Sequence, residues 1–121
     1  MATRSSVSAI TKDGIKAIYI HWDGYIGGVG KTLYNNYMNQ EKIEELINIG
    51  DMSSLAETIE ESSKSCYRDS PPKTLRDWNF HELYNNFGEG LDYHYFWNGH
   101  QWYVLDRNTL PELVEERLKQ L

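Results

Sequence analysis

The sequence has 121 residues, a formal net charge of −6, 40% hydrophobic residues and a single cysteine, the size of one domain that buries roughly two-thirds of its unfolded surface. One cysteine excludes an intramolecular disulfide and a multi-cysteine zinc site, no stretch reaches the ~20 apolar residues of a membrane helix, and Met1 to Ile10 lacks the apolar run of a secretion signal. The expectation is one soluble, intracellular domain over residues 1–121, too acidic to bind duplex nucleic acid through its phosphates.

Val7 to Ile10 and Ile15 to Trp22 flank Asp13-Gly14, a dipeptide suited to a type I′ hairpin turn. Period-2 alternation then puts Val7, Ala9, Ile18, Ile20 and Trp22 on one face. Gly24 to Lys31 holds four glycines and is expected to be a loop. A helix over Lys31 to Met38 follows. Asn39 is placed to cap a second helix, Glu41 to Ile49, which buries Ile43, Leu46 and Ile47 and stops at Gly50. Leu55 to Ile59 fits a short strand or a helical turn, and Lys64 to Asp69 fits a strand that ends before Pro71-Pro72. Asn79-Phe80-His81-Glu82 has capping-box spacing for a helix to about Phe87. Leu91 to Asp106 reads as a hairpin turning at Asn98-Gly99. Tyr93, Tyr95, Trp97, His100, Trp102 and Val104 lie on one face of it, and Asp92, His94, Phe96, Gln101, Tyr103 and Leu105 on the other. Aromatics on both faces call for cover on both, from a helix, a partner or a ligand. Thr109-Leu110-Pro111-Glu112 has capping-box spacing, and Leu110, Leu113, Val114, Leu118 and Leu121 give a last amphipathic helix. The fold class is α+β: an antiparallel sheet of two hairpins packed against three or four short helices.

Charge is uneven along the chain. Residues 41–61 carry seven acidic side chains against one lysine. The pairs Glu44-Glu45, Glu60-Glu61 and Glu115-Glu116 are sequence neighbours, which do not face each other on a helix, and they read as solvated faces. Gly27-Gly28-Val29-Gly30-Lys31-Thr32 approaches a phosphate-binding P-loop, but the glycine required five positions before Gly30 is Tyr25. It reads as a loop near a ligand or as a plain connector. His21, His81, His94 and His100 show no zinc-hydrolase spacing, and each reads as a surface or interface imidazole. Cys66, with Arg68 two positions on, reads as a buried structural thiol. Arg107-Asn108-Thr109 joins the aromatic hairpin to the expected last helix. An arginine beside a helix N-terminus suits a phosphate, with a base stacked on a nearby aromatic. Equally, Arg107 could pair with Asp106 or Glu112 at the surface.

The run Ala17-Ile18-Tyr19-Ile20-His21-Trp22-Asp23-Gly24-Tyr25, continued by Gly28-Val29-Gly30-Lys31-Thr32-Leu33, resembles the start of a family of short phage and prophage proteins. Leu46-Ile47, Gly50 to Leu55, Tyr67-Arg68-Asp69 and the closing Trp102-Tyr103 extend the likeness over residues 15 to about 106. It is similar to the Thoeris anti-defence sponge family. That resemblance implies a non-enzymatic, homo-oligomeric protein in the cytoplasm of a bacterial host. Such proteins sequester cyclic ADP-ribose isomers, made by host TIR-domain enzymes, in pockets where subunits meet, and some members also take cyclic oligonucleotides at separate sites. The resemblance carries over Phe80 for base stacking and Arg107 for phosphate.

The expected ligand residues are therefore Arg107 and Arg68 for phosphate, Phe80 and Tyr103 for the base, and Asn108 and Thr109 for polar contacts. The ligand is a small cyclic nucleotide; no metal, cofactor, membrane or duplex nucleic acid is expected. Two alternatives stand beside this. One is an inhibitor whose acidic 41–61 face docks on a basic host protein. The other is a nucleotide-degrading enzyme, for which the sequence offers no acid–base or metal set.

Overall fold

A computed structural model describes residues 2–106 and 110–121. The strands are β1 (Ser5–Thr11), β2 (Gly14–Ile20), β3 (Lys73–Leu75), β4 (Tyr93–Trp97), β5 (Trp102–Asp106) and β6 (Glu112–Leu113). The helices are α1 (Lys31–Asn36), α2 (Gln40–Ile49), α3 (Ile59–Ser63), α4 (Phe80–Phe87) and α5 (Val114–Lys119). The strands form one sheet in the order β3-β2-β1-β4-β5-β6. This is an α+β fold with short helices, one more among the described residues than expected. Both hairpins are present, but they join through a parallel β1–β4 pair, so the sheet is mixed rather than wholly antiparallel.

Each hairpin turns beside the expected residues. In the first, Thr11 opposes Gly14 and the turn is Lys12-Asp13. Thr11 Oγ1 accepts from Asp13 N at 3.1 Å and donates to Gly14 O at 2.7 Å, leaving Gly14 just past the turn at φ +100°. In the second, Trp97 opposes Trp102. Asn98 Oδ1 accepts from His100 N and Gln101 N at 2.9 and 2.8 Å, so the asparagine caps the turn instead of sitting inside it. Each register is offset by two residues from the expected one. Side chains alternate with period 2, so the faces are unchanged: Val7, Ala9, Ile18, Ile20, Tyr95, Trp97, Trp102 and Val104 share one core. Trp22 is the exception, lying beyond the end of β2 and 46% exposed.

That first face is covered by α1, α2 and α5. Asn39 Oδ1 caps α2 by accepting from Lys42 N at 3.1 Å, and Ile43, Leu46 and Ile47 are fully buried. Buried indoles need partners for their N–H groups: Trp102 Nε1 donates to Tyr37 O at 2.7 Å and Trp97 Nε1 to Gln40 Oε1 at 2.8 Å. The opposite face carries a smaller cluster, Ala17, Leu75, Leu83 and Leu105, with Trp78 and Phe87 against it. Helix α4 covers it.

Several local expectations are corrected. The glycine-bearing stretch is not a loop: Ile26–Gly30 is one π-helical turn running into α1. Its N–H groups are used internally, Gly28 N and Val29 N donating to Tyr25 O and Asp23 O at 3.0 and 2.8 Å. A Cβ on Gly28 would stand 2.2 Å from Asp23 O, so the glycine is there for close backbone approach rather than for a phosphate. Lys64 to Asp69 is a turn touching the sheet through a single Met52–Cys66 bridge, and Cys66 is exposed, not buried. Leu55 to Ile59 leads to α3, capped by Thr58 Oγ1 accepting from Glu61 N at 3.2 Å. The last helix begins only at Val114, because Glu112–Leu113 first pairs with β5. Leu110 and Leu121 lie outside it and are exposed. No helix among the described residues is long and apolar enough to cross a membrane.

Candidate functional site

Helix α4 enters the fold through a polar clamp. Asn79 Oδ1 accepts from Glu82 N at 2.9 Å, the N-cap bond the spacing suggested. The Glu82 side chain does not close the capping box. It accepts from Arg76 N at 2.7 Å and Arg76 Nη2 at 3.1 Å instead. The side-chain bond from Arg76 is the main reason the buried Glu82 carboxyl sits below the usual carboxylate range. The clamp fixes the first turn of α4 to the end of β3. Leu83 and Phe87 then pack into the sheet, and Phe80 and Tyr84, one turn apart, are left exposed. Gly88, at φ +77°, ends the helix and donates from its N–H to Tyr84 O at 2.8 Å.

Between this helix and β4 lies a cleft of about 500 Å³, lined by Phe80, Tyr84, Gly88, Glu89, Leu91 and His94. That is within the ~300–1,000 Å³ of small-molecule sites. The Phe80 ring meets His94 edge-on, with centroids 6.3 Å apart and planes at 89°. His94 is 5% exposed, and its Nδ1 lies 2.6 Å from Ser6 Oγ. Burial pushes the His94 imidazole down to about 4, so it is uncharged at neutral pH. At the loop beside the cleft, a Cβ on Gly90 would touch Arg4 Nη2 at 2.7 Å, which places a guanidinium next to the loop that follows Gly88 and Glu89.

The expected ligand residues are only partly gathered. Phe80 lines the cleft. Tyr103 shares the cleft's face of the sheet, opposite Phe96 in β5, but the cleft wall does not include it. The Trp78–Phe96 stack, with centroids 5.0 Å apart, lies on that same face. Arg68 is exposed in the turn that joins the sheet through Cys66 and Met52, outside β2, and is not among the residues that line the cleft. Arg107, Asn108 and Thr109 lie outside the described residues. The carboxylates weighed as Arg107 partners, Asp106 and Glu112, hold Arg117 at 3.1 and 3.6 Å.

No local pattern in the sequence marks Ser6, Tyr84 or Arg4. His94, expected as a surface or interface imidazole, is buried instead, and its partner Ser6 is 88 positions away. Only the parallel pairing of β1 with β4 brings the two together. The other histidines are apart from the cleft: His21 Nδ1 is 2.7 Å from Tyr19 Oη, His81 Nε2 is 3.1 Å from Asn85 Nδ2, and His100 is exposed in its turn. Among the described residues no group of three His, Cys, Asp or Glu side chains is placed to hold a metal. A second hollow of about 280 Å³ lies around Tyr25, Tyr93 and Arg117, where the arginine is already paired with acids.

No protein-family model matches the chain, and neither a curated protein nor a solved structure matches it.

Proposed function

We propose that this protein binds a cyclic ADP-ribose isomer and sequesters it unchanged, as the resemblance to the Thoeris anti-defence sponges implies. The observation that carries the reading is Phe80, 47% exposed at the mouth of the 500 Å³ cleft. A large apolar ring left in water beside a concave wall is a stacking surface waiting for a flat partner. In this reading Phe80 stacks on the base, and Arg4, together with Arg107, takes the phosphates. A second subunit closes the open side of the cleft. A sponge needs slow release and no turnover; nanomolar retention corresponds to about −12 kcal/mol.

Calorimetric titration with a panel of cyclic ADP-ribose isomers, beside linear ADP-ribose and NAD, tests it. The expected result is saturable heat for one cyclic isomer, recovered intact after heat denaturation of the protein. Flat traces across the panel, or recovery of a hydrolysed product, would sink the sponge.

One observation favours a second reading. Glu41, Glu45, Glu57, Glu60 and Glu61 are all exposed on or beside α2 and α3, an acidic surface suited to a basic host protein. If charge reversal at Glu45 and Glu57 abolishes activity in cells while Phe80→Ala leaves it intact, that reading replaces the sponge.

A further inference from the structure

We infer that His94, held by Ser6, presents a fixed N–H donor on the floor of the cleft, and that this donor together with Glu89 reads a nucleobase edge that sets an acceptor beside a donor, as adenine does. The inference rests on the nucleotide-binding reading above and specifies what that site recognises.

The starting point is a serine hydroxyl with one hydrogen to place. Ser6 is fully buried, and His94 Nδ1, at 2.6 Å, is its Oγ partner among the described residues. Ser6 and His94 are register partners across the parallel β1–β4 pair, so the backbone fixes their separation. If the imidazole gave its hydrogen through Nδ1, the serine hydrogen would be left without an acceptor among the described residues. A buried donor without an acceptor is the costly case. The opposite arrangement uses the serine hydrogen and leaves only a lone pair unmatched. Ser6 therefore donates, Nδ1 accepts, and an uncharged ring must carry its own hydrogen on Nε2. Burial keeps the ring uncharged at neutral pH. With Nδ1 engaged in the interior, Nε2–H is the polar group His94 has left for the cleft it lines.

The rest of the lining restricts what that donor meets. Phe80, Tyr84 and Leu91 are apolar or flat walls, and Glu89 is the acidic side chain among the lining residues. A carboxylate repels phosphate and accepts N–H. The occupant is therefore an uncharged flat ring that offers an acceptor to His94 and a donor to Glu89. Adenine has a ring nitrogen beside an amino group and meets both. Unsubstituted purine keeps the ring nitrogens but has no amine, and leaves the carboxylate without a donor. Any phosphates stay outside the cleft, toward Arg4.

Nitrogen-15 NMR on the full chain, with labelled histidine and His94→Gln to assign the ring, is the test. In the free protein at pH 7 the His94 ring should be uncharged, protonated at Nε2 and bare at Nδ1. Adenosine 5′-monophosphate should shift Nε2 more than Nδ1, and purine riboside 5′-monophosphate, which lacks the amine, should bind at least tenfold more weakly. His94→Leu should weaken the adenosine probe on the order of tenfold to a hundredfold, while His94→Gln, which retains an N–H donor, should keep most of the affinity. A ring protonated at Nδ1, or an Nε2 unmoved at saturation, overturns the inference without depending on how any variant folds. If a cyclic ADP-ribose isomer binds tightly and Nε2 stays still, the inference fails and the sponge stands. If the adenosine probe moves Nε2 but no cyclic isomer binds, the sponge fails and the base-reading site stands. Silence from every probe removes both.

Discussion

The two faces of the sheet are built on different terms. On one, α1, α2 and α5 close over a layer in which Trp102, Tyr95, Leu33, Ile43, Leu46 and Ile47 are all fully buried, with the indole N–H groups of Trp97 and Trp102 bonded. On the other, a single two-turn helix leans on a four-residue cluster. The strands beneath it bury Ser6, Ser8 and His94 beside Ala17, Leu75 and Leu105. The first face is where burial stabilises the fold. The second gives up apolar contact for polar groups and leaves an open cleft.

The largest expected effect belongs to the first face. Trp102→Ala should cost roughly 3–5 kcal/mol in urea unfolding; a cost near 1 kcal/mol would erase the distinction between the faces. The next belongs to the cleft and depends on pH. His94 titrates near 4 in the folded chain against an ordinary 6.5, so between these values the unfolded chain binds the extra proton. Stability is then complete above about pH 6.5 and falls as pH drops toward 4, by on the order of 3 kcal/mol. The Glu82 carboxyl, held low by Arg76, adds its loss at still lower pH. Urea midpoints taken from pH 7.5 to 4 should therefore decline early in the native chain and later in His94→Gln; parallel curves would show that the imidazole is not buried uncharged.

Smaller effects sharpen the contrast. Ser8 Oγ is buried with no hydrogen-bond partner among the described residues, and removing such a hydroxyl relieves its desolvation. Ser8→Ala should leave stability unchanged or raise it by up to about 1 kcal/mol. A loss of more than that would mean the hydroxyl has a partner, such as a bound water. Smallest of all, Phe80→Ala should change stability by no more than about 0.5 kcal/mol while weakening ligand binding by about 1–3 kcal/mol, the range for aromatic–base stacking.

What could be read from the sequence follows the same division. The strand faces were legible because alternation survives a two-residue slip, and both hairpins slipped by two: Thr11 and Asn98 drew the turns onto their own side chains. The caps at Asn39 and Asn79 were legible because they are local. The glycine stretch was misread because its glycines answer to distant partners, Gly30 to the Tyr95 ring and Gly28 to Asp23 O. The last helix begins later than expected because Glu112 and Leu113 pair with β5 before it; Thr109 of the expected capping box lies outside the described residues. The cleft was half legible. Phe80 came from the resemblance, but Ser6 and His94 meet only through a parallel pairing that no local pattern encodes.

That pairing also has a history in each newly made chain. Strand β1 ends in the middle of the sheet, yet only β2 is at hand when it leaves the ribosome. Its other partner, β4, begins at Tyr93. At roughly 5–20 residues per second, the first hairpin waits several seconds with one row of backbone donors and acceptors open to any passing strand. Long apolar edges in that position recruit other chains. Here the waiting strand reads Ser5-Ser6-Val7-Ser8-Ala9, and its hydroxyls keep it hydrated until residue 97 arrives. The serines that leave the finished sheet short of apolar contact are the ones that let the unfinished sheet stay soluble.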